Sequence, residues 1–252
     1  FNTKKRGFSL MAKIHIILQG KGGVGKSLVA SSIAQYKKTK DQVPLCIDTD
    51  PINQTFTGYS ALNVETLNIM EGDEINSRKF DMLIEKIASS DNDVIIDNGA
   101  ATFVPLAHYL ISNQVAELLE SFGHTLIIHT VITGGQAMLD TISGFSQLAK
   151  QFPEPSLFVV WLNRYWGDIE TGGKSFEEMK AYKDNKSRVS SIINIPHLKE
   201  ETFGKDIEDM LQERLTFEEA ISNEKTNIMT RQRLKIYQKD LFSHMDAAAV
   251  LS

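Results

Sequence analysis

The sequence predicts one doubly wound α/β domain built on a mostly parallel sheet of seven or eight strands. Three observations predict it. Short apolar runs of strand length alternate with longer stretches that carry apolar residues at helical spacing. The first apolar run ends in a glycine-rich turn that opens into a helical stretch. Later runs end in aspartate or asparagine, residue types suited to the carboxyl edge of a parallel sheet, where ligands bind.

The elements follow in order. Residues 1–10 (FNTKKRGFSL) lack the apolar core of a signal peptide, and Met11 reads as the natural start. They are expected to be an upstream, disordered extension, with the domain covering 11–252. Ile14, Ile16, Ile17 and Leu18 form the first strand. Gly20-Lys21-Gly22-Gly23-Val24-Gly25-Lys26-Ser27 comes next, matching the phosphate-loop pattern of Gly, four residues, then Gly-Lys-Ser. Val29, Ile33 and Tyr36, with Ala30 and Ala34, make the buried face of the helix behind it, which ends near 37–40. Glycines let successive N–H groups turn toward one point, and the helix N-terminus adds positive potential there. The backbone of Gly22, Gly23, Val24, Gly25 and Leu28 can therefore cradle a triphosphate. Lys26 is expected to reach the β- and γ-phosphates, and the Ser27 hydroxyl to sit on Mg²⁺. A glycine turn without a ligand is the plain alternative. The strand before it and the helix after it argue against that.

Leu45-Cys46-Ile47 is a second short strand, followed by Asp48-Thr49-Asp50-Pro51-Ile52-Asn53. Two carboxylates two residues apart in an extended segment point the same way. Beside a phosphate site they would repel the nucleotide unless a cation or water intervenes. Their use is to hold the water shell of Mg²⁺ or to orient the attacking water. An edge strand is expected within 61–70, then a helix containing Phe80, Met82, Leu83, Ile84 and Ile87. The run 93–97 ends in Asp97, placed to take a water of Mg²⁺. One helix is expected over 102–119, with Phe103, Leu106, Tyr109, Leu110 and Val115 inward. A strand over 126–132 carries His129, which is read with His15 as a hydrogen-bonded core histidine. A helix over 137–152 and a strand over 156–162 follow. Asn163 and Arg164 close that strand, and an amide there can donate and accept toward an adenine edge. Residues 165–188 read as a polar connector with an exposed helix near 176–182. Acidic helical segments fill 200–224. A last helix, near 226–249, is expected to pack Leu234, Tyr237, Leu241, Phe242 and Met245 on the sheet.

Composition bounds the function. At 42% apolar and 23% charged residues, the 252-residue chain is ordinary for one globular domain. A net charge of −5 argues against a strongly basic nucleic-acid binder, leaving a local patch open. The one cysteine, Cys46, cannot form an internal disulfide, which suits a reducing cytosol. No apolar run approaches ~18 residues, so no span of a membrane is expected. No His/Cys/Asp cluster has the spacing of a protein-held zinc site.

Lys21-Gly22-Gly23-Val24-Gly25-Lys26-Ser27 and Asp48-Thr49-Asp50-Pro51-Ile52-Asn53 resemble the KGGxGK[ST] and DxDPxxN motifs of the deviant Walker A ATPases, the ParA/MinD group. MAKIHxxLQGKGGVGKS and ALNVxxLNIxxGDEINSRxFD are further similar to the TraL-type proteins of conjugative plasmids, over most of 11–110. The resemblance implies that Lys21 acts in trans on a partner's phosphates across a nucleotide-sandwich dimer. It implies that Asp50 positions the hydrolytic water and that Asp48 and Asp97 support the metal's waters. It implies that Asn163 reads the purine, with Arg164 a second candidate and the backbone at Pro196 and His197 lining the base. Gly99 would offer its N–H to the γ-phosphate, although the prolines usual in the family after this strand are missing here. The function implied is a slow, Mg²⁺-dependent ATPase that works as an ATP-dependent homodimer. It would serve plasmid conjugal transfer or partition in the bacterial cytosol. Its partner would be a protein of that machinery, with non-specific DNA open and membrane association not expected. A phosphate-loop kinase of a small acceptor and a non-hydrolysing nucleotide-binding adaptor are the alternatives. Lys21 and the DxDP segment favour the ATPase.

Overall fold

The computed structural model describes residues 11–251. The expectation for residues 1–10 lies outside them. Seven strands form one sheet: β1 Lys13–Ile17, β2 Leu45–Asp48, β3 Glu65–Thr66, β4 Val94–Asp97, β5 Thr125–Thr133, β6 Leu157–Asn163 and β7 Val189–Asn194. Their order is β7-β6-β5-β1-β4-β2-β3, and every neighbouring pair is parallel. A parallel sheet is covered on both faces, which is why its inner strands are nearly continuous apolar runs.

Alternate residues of each strand feed two cores. Ile17, Ile95, Ile127, Val131 and Trp161 face α1 (Lys26–Lys38) and the C-terminal helices. Ile14, Ile16, Ile96, Leu126 and Ile128 face α2 (Lys79–Ala88), α3 (Phe103–Ser112) and α4 (Val115–Ser121). At the β6 and β7 side, α5 (Met138–Gln151) adds Phe145 and Ala149 against Ile132, Val160 and Leu162.

Three expectations change. The single helix over 102–119 is two helices. Gln114 adopts a left-handed φ of 50°, and the turn re-aims Val115, Ala116 and Leu119 into the core. The edge strand within 61–70 shrinks to β3, pairing only Glu65 with Ile47 and Thr66 with Asp48, before a small hairpin closes around Gly72. Residues 176–182 are not an exposed helix. A short turn, Phe176–Glu178, capped reciprocally by Ser175 and Glu178, precedes α6 (Lys180–Asn185). Phe176 is buried edge-on against Phe145.

The C-terminal helices behave as the periodicity requires. α7 (Lys205–Gln212) and α8 (Phe217–Ser222) precede α9 (Ile228–Asp246), whose Leu234, Tyr237, Leu241 and Met245 are buried. Thr216 and Glu219 form a capping box at α8, and Asn227 caps α9 by accepting from the Thr230 N–H. No helix among the described residues is long and apolar enough to cross a membrane.

Two polar features lie inside the first core. Lys37 at the end of α1 is buried and pairs with Asp93 at 2.7 Å, while the other Asp93 oxygen accepts from the Lys13 N–H at 2.7 Å. That pair ties α1 to the amino edge of the sheet. Higher up, Trp161 Nε1–H donates to His129 Nδ1 at 2.9 Å, and His129 Nε2 meets His15 Nδ1 at 2.9 Å. An indole only donates, so the network assigns the His129 proton to Nε2, and His15 then carries its proton on Nε2. Both histidines are core residues, as the sequence indicates.

Candidate functional site

The site grows from the β1–α1 junction. Gly23 and Gly25 hold φ of 73° and 104°, a region L side chains rarely adopt. A Cβ at Gly25 would also lie 2.9 Å from the Asn163 amide nitrogen. The loop therefore requires glycine at 25 for two independent reasons. Lys26 is buried and curls back so that Nζ donates to the Lys21 carbonyl at 3.0 Å. Burial lowers its pKa, opposed by the charges of Asp97 and Asp50.

The strand ends bring the carboxylates to this loop. Asp48 and Asp97 are cross-strand partners on β2 and β4. Asp97 is buried, its Oδ1 has no hydrogen-bond partner among the described residues, and its pKa is pushed up to about 7. Burial is the main cause, then a hydrogen bond from Ser27 pulls it down and Asp48 pushes it up. A buried carboxylate oxygen without a donor suits a site that receives a cation or its waters. The hydroxyl of Ser27 beside it completes a hard oxygen set that fits Mg²⁺.

Asp48 departs from its expected place. It does not line the cavity. Its Oδ1 accepts from the Asp50 N–H at 2.9 Å, and its Oδ2 accepts from the Thr57 N–H and hydroxyl at 3.0 and 3.1 Å. Burial raises its pKa against those bonds. Asp48 thus shapes the 48–57 loop and sets Asp50. Asp50 Oδ1 accepts from the N–H groups of Ile52 and Asn53, and its other oxygen has no partner among the described residues. Gly99 makes room for this carboxylate, since a Cβ there would lie 2.6 Å from Asp50 Cγ. Gly99 itself does not line the cavity, whereas its neighbours Asn98, Ala100 and Ala101 do.

A cavity of about 520 Å³ is bounded by Gly22, Lys26, Ser27, Asp50, Tyr59 and Asp97. A second, of about 600 Å³, adjoins it through Gly23, Gly25 and Leu28 and extends to Asn163, Pro196 and His197. Val24 is buried and lines neither cavity, and its carbonyl accepts from Asn163 Nδ2 at 2.9 Å. Asn163 Oδ1 accepts from the Tyr165 N–H at 3.1 Å, so this amide braces the phosphate loop. Only its second N–H and second lone pair are left for a base. Arg164 is exposed and lines neither cavity. Lys21 also points away from both, pairing with Asp140 at 3.0 Å on the first turn of α5. The sequence reading missed Thr57, Asp140 and Trp166. Thr57 and Asp140 carry no local signal. Trp166 had one, standing three residues past the end of β6.

The sheet order, the glycine loop between β1 and α1 and the carboxylates at the strand ends define the class: an α/β P-loop NTPase fold of the MinD type. Solved structures with this fold include the MinD cell division protein of Aquifex aeolicus and the complex of MinC with MinD from the same organism. The TM-scores are 0.51 and 0.52, at 16% and 15% identity. The match covers 92% of this chain in both cases and 98% and 96% of the other. The chain belongs to the TraL family. Two Escherichia coli proteins named Protein TraL are 70% and 66% identical to it over 241 residues, 96% of this chain and 100% of theirs. No family model matches the chain.

Proposed function

We propose that the chain is a Mg²⁺-dependent ATPase that works as a nucleotide-switched dimer in plasmid conjugal transfer. One observation carries this reading: Lys26, Ser27, Asp50 and Asp97, whose Oδ1 has no partner among the described residues, border a single cavity at the glycine loop. The triphosphate lies along the N–H groups of residues 22–28, and Lys26 exchanges the Lys21 carbonyl for the β- and γ-phosphate oxygens. Ser27 and Asp97 would hold Mg²⁺, Asp97 through the metal's waters, and Asp48 acts through the loop it organises. Held there, Mg²⁺ would supply positive charge against the charge that builds on the phosphate oxygens. The unpartnered Asp50 oxygen orients a water for in-line attack on the γ-phosphorus.

The relatives' name supports the conjugation setting, and the MinD-type fold supports a dimer assembled around ATP. Lys21 then leaves Asp140 and reaches the phosphates of the second copy. A protein of the transfer or partition machinery would read the ATP-bound dimer, in the bacterial cytosol, with non-specific DNA a further surface. Size-exclusion chromatography with ATP, ADP and no nucleotide tests this. The wild-type chain should elute as a dimer only with ATP, and Lys21→Ala should remain monomeric with ATP. The exposed Lys21–Asp140 pair is worth only about 0–1 kcal/mol, so this change leaves the fold and monomer binding of ATP intact. Dimers that persist in Lys21→Ala would remove the trans role.

A further inference from the structure

We infer that Trp166 is a nucleobase-contacting residue, whose indole forms a wall of the nucleoside cavity and stacks on the base; this rests on the nucleotide reading above. The placement is built by several parts of the chain. Trp166 lines the 600 Å³ cavity together with Asn163, Pro196 and His197. Its Nε1–H donates to the Gly23 carbonyl at 3.3 Å, which pins the ring edge to the phosphate loop. Tyr165 buttresses it in a perpendicular contact with centroids 4.8 Å apart.

The glycines beneath fix the backbone that carries the ring. A Cβ at Gly135 would lie 2.6 Å from the Trp166 carbonyl oxygen, and one at Gly134 would lie 2.1 Å from the Gly167 carbonyl oxygen. Gly167 turns the chain with φ 117°. The 165–168 segment is therefore seated on Gly134 and Gly135 and held toward the loop. Yet Trp166 stays 56% exposed. An indole held by its edge, beside a largely apolar cavity, keeps surface available to a planar ligand. The two cavities share Gly23 and Gly25, so phosphates in one carry their nucleoside into the other. Aromatic stacking on a base is tolerant of base identity. Trp166 thus supplies affinity for the base, and the Asn163 amide and the backbone at Pro196 and His197, which line the same cavity, supply its selection.

The test compares Mg²⁺–ADP with inorganic pyrophosphate, which has no base, in calorimetric titrations of the whole chain. Trp166→Ala should weaken ADP about tenfold or more, and Trp166→Phe by less than about threefold, since a phenyl ring still stacks. Pyrophosphate affinity should stay within about twofold in both. The chain has two tryptophans, and Trp161 is fully buried. ADP should therefore change the emission of the wild-type protein, and the change should vanish in Trp166→Phe. Equal loss of ADP and pyrophosphate would make Trp166 a brace of the loop and overturn the inference. So would unaltered ADP affinity in Trp166→Ala, or an emission change that survives in Trp166→Phe. A wild-type chain that binds pyrophosphate and ADP equally well would overturn the inference alone; one that binds neither overturns the nucleotide reading with it.

Discussion

Asp97 is the residue through which a bound cation would act on the stability of the fold. Its side chain is buried next to Asp48, so its charge is disfavoured until a cation arrives. Its pKa in the folded chain, about 7, lies above the usual aspartate value of 3.8. The stability this group contributes is therefore full below 3.8 and is lost as pH rises through about 7, at up to about 1.4 kcal/mol per unit. Mg²⁺–ATP should offset that loss above about pH 7, and below it should have to displace the Asp97 proton in order to bind. Thermal unfolding checks this: stabilisation by Mg²⁺–ATP should be larger at pH 8 than at pH 6, and Asp97→Asn should abolish the difference. That the loop glycines, Lys26, Ser27, Asp48 and Asp97 stand at one edge of the sheet was legible, because each follows its own strand at a short local spacing; that Asp48 turns to the 48–57 loop instead of the cavity was not. The partners of Asn163 and Asp48 were not. Asn163 meets Val24 139 residues away, and Thr57 reaches Asp48 only because the loop between them folds back.

The elements were legible wherever burial sets the pattern. β1, β4, β5 and β6 are runs that both cores require, and α9 shows its buried stripe at helical spacing. The break between α3 and α4 was hidden, because Gln114 carries no glycine or proline signal for its left-handed turn. The Trp161–His129–His15 chain runs across β6, β5 and β1, so it joins the strand before the phosphate loop to the strand before Asn163. A proton added to His15 Nδ1 would face the His129 Nε2–H. Burial, first, lowers both pKa values, that of His129 to about 3. The unfolded chain thus takes up protons below 6.5 that the folded chain refuses. Urea unfolding should show stability falling as pH drops from 6.5 toward 4, by up to about 1.4 kcal/mol per unit for each histidine. His129→Leu should flatten that slope, and an unchanged slope would contradict the account.

At the scale of the whole molecule, a parallel sheet of order β7-β6-β5-β1-β4-β2-β3 places every loop after a strand at one edge. The phosphate loop, the 48–57 loop, the residues after β4 and the Trp166 segment meet there although they are remote in sequence. The sequence indicated the parallel sheet and which edge of it carries the glycine loop and the strand-end carboxylates. It did not indicate that Lys21 would rest on α5, since an exposed ion pair leaves no mark in local spacing. On the function proposed above, this edge holds Mg²⁺–ATP and directs water onto it. Phosphate release by the purified chain, wild type against Asp50→Ala, tests that most directly. Slow, Mg²⁺-dependent release is expected of the wild type, and a loss of about 10²–10⁴-fold in Asp50→Ala with ATP binding retained. No release by the wild type, or equal release by both, would contradict it.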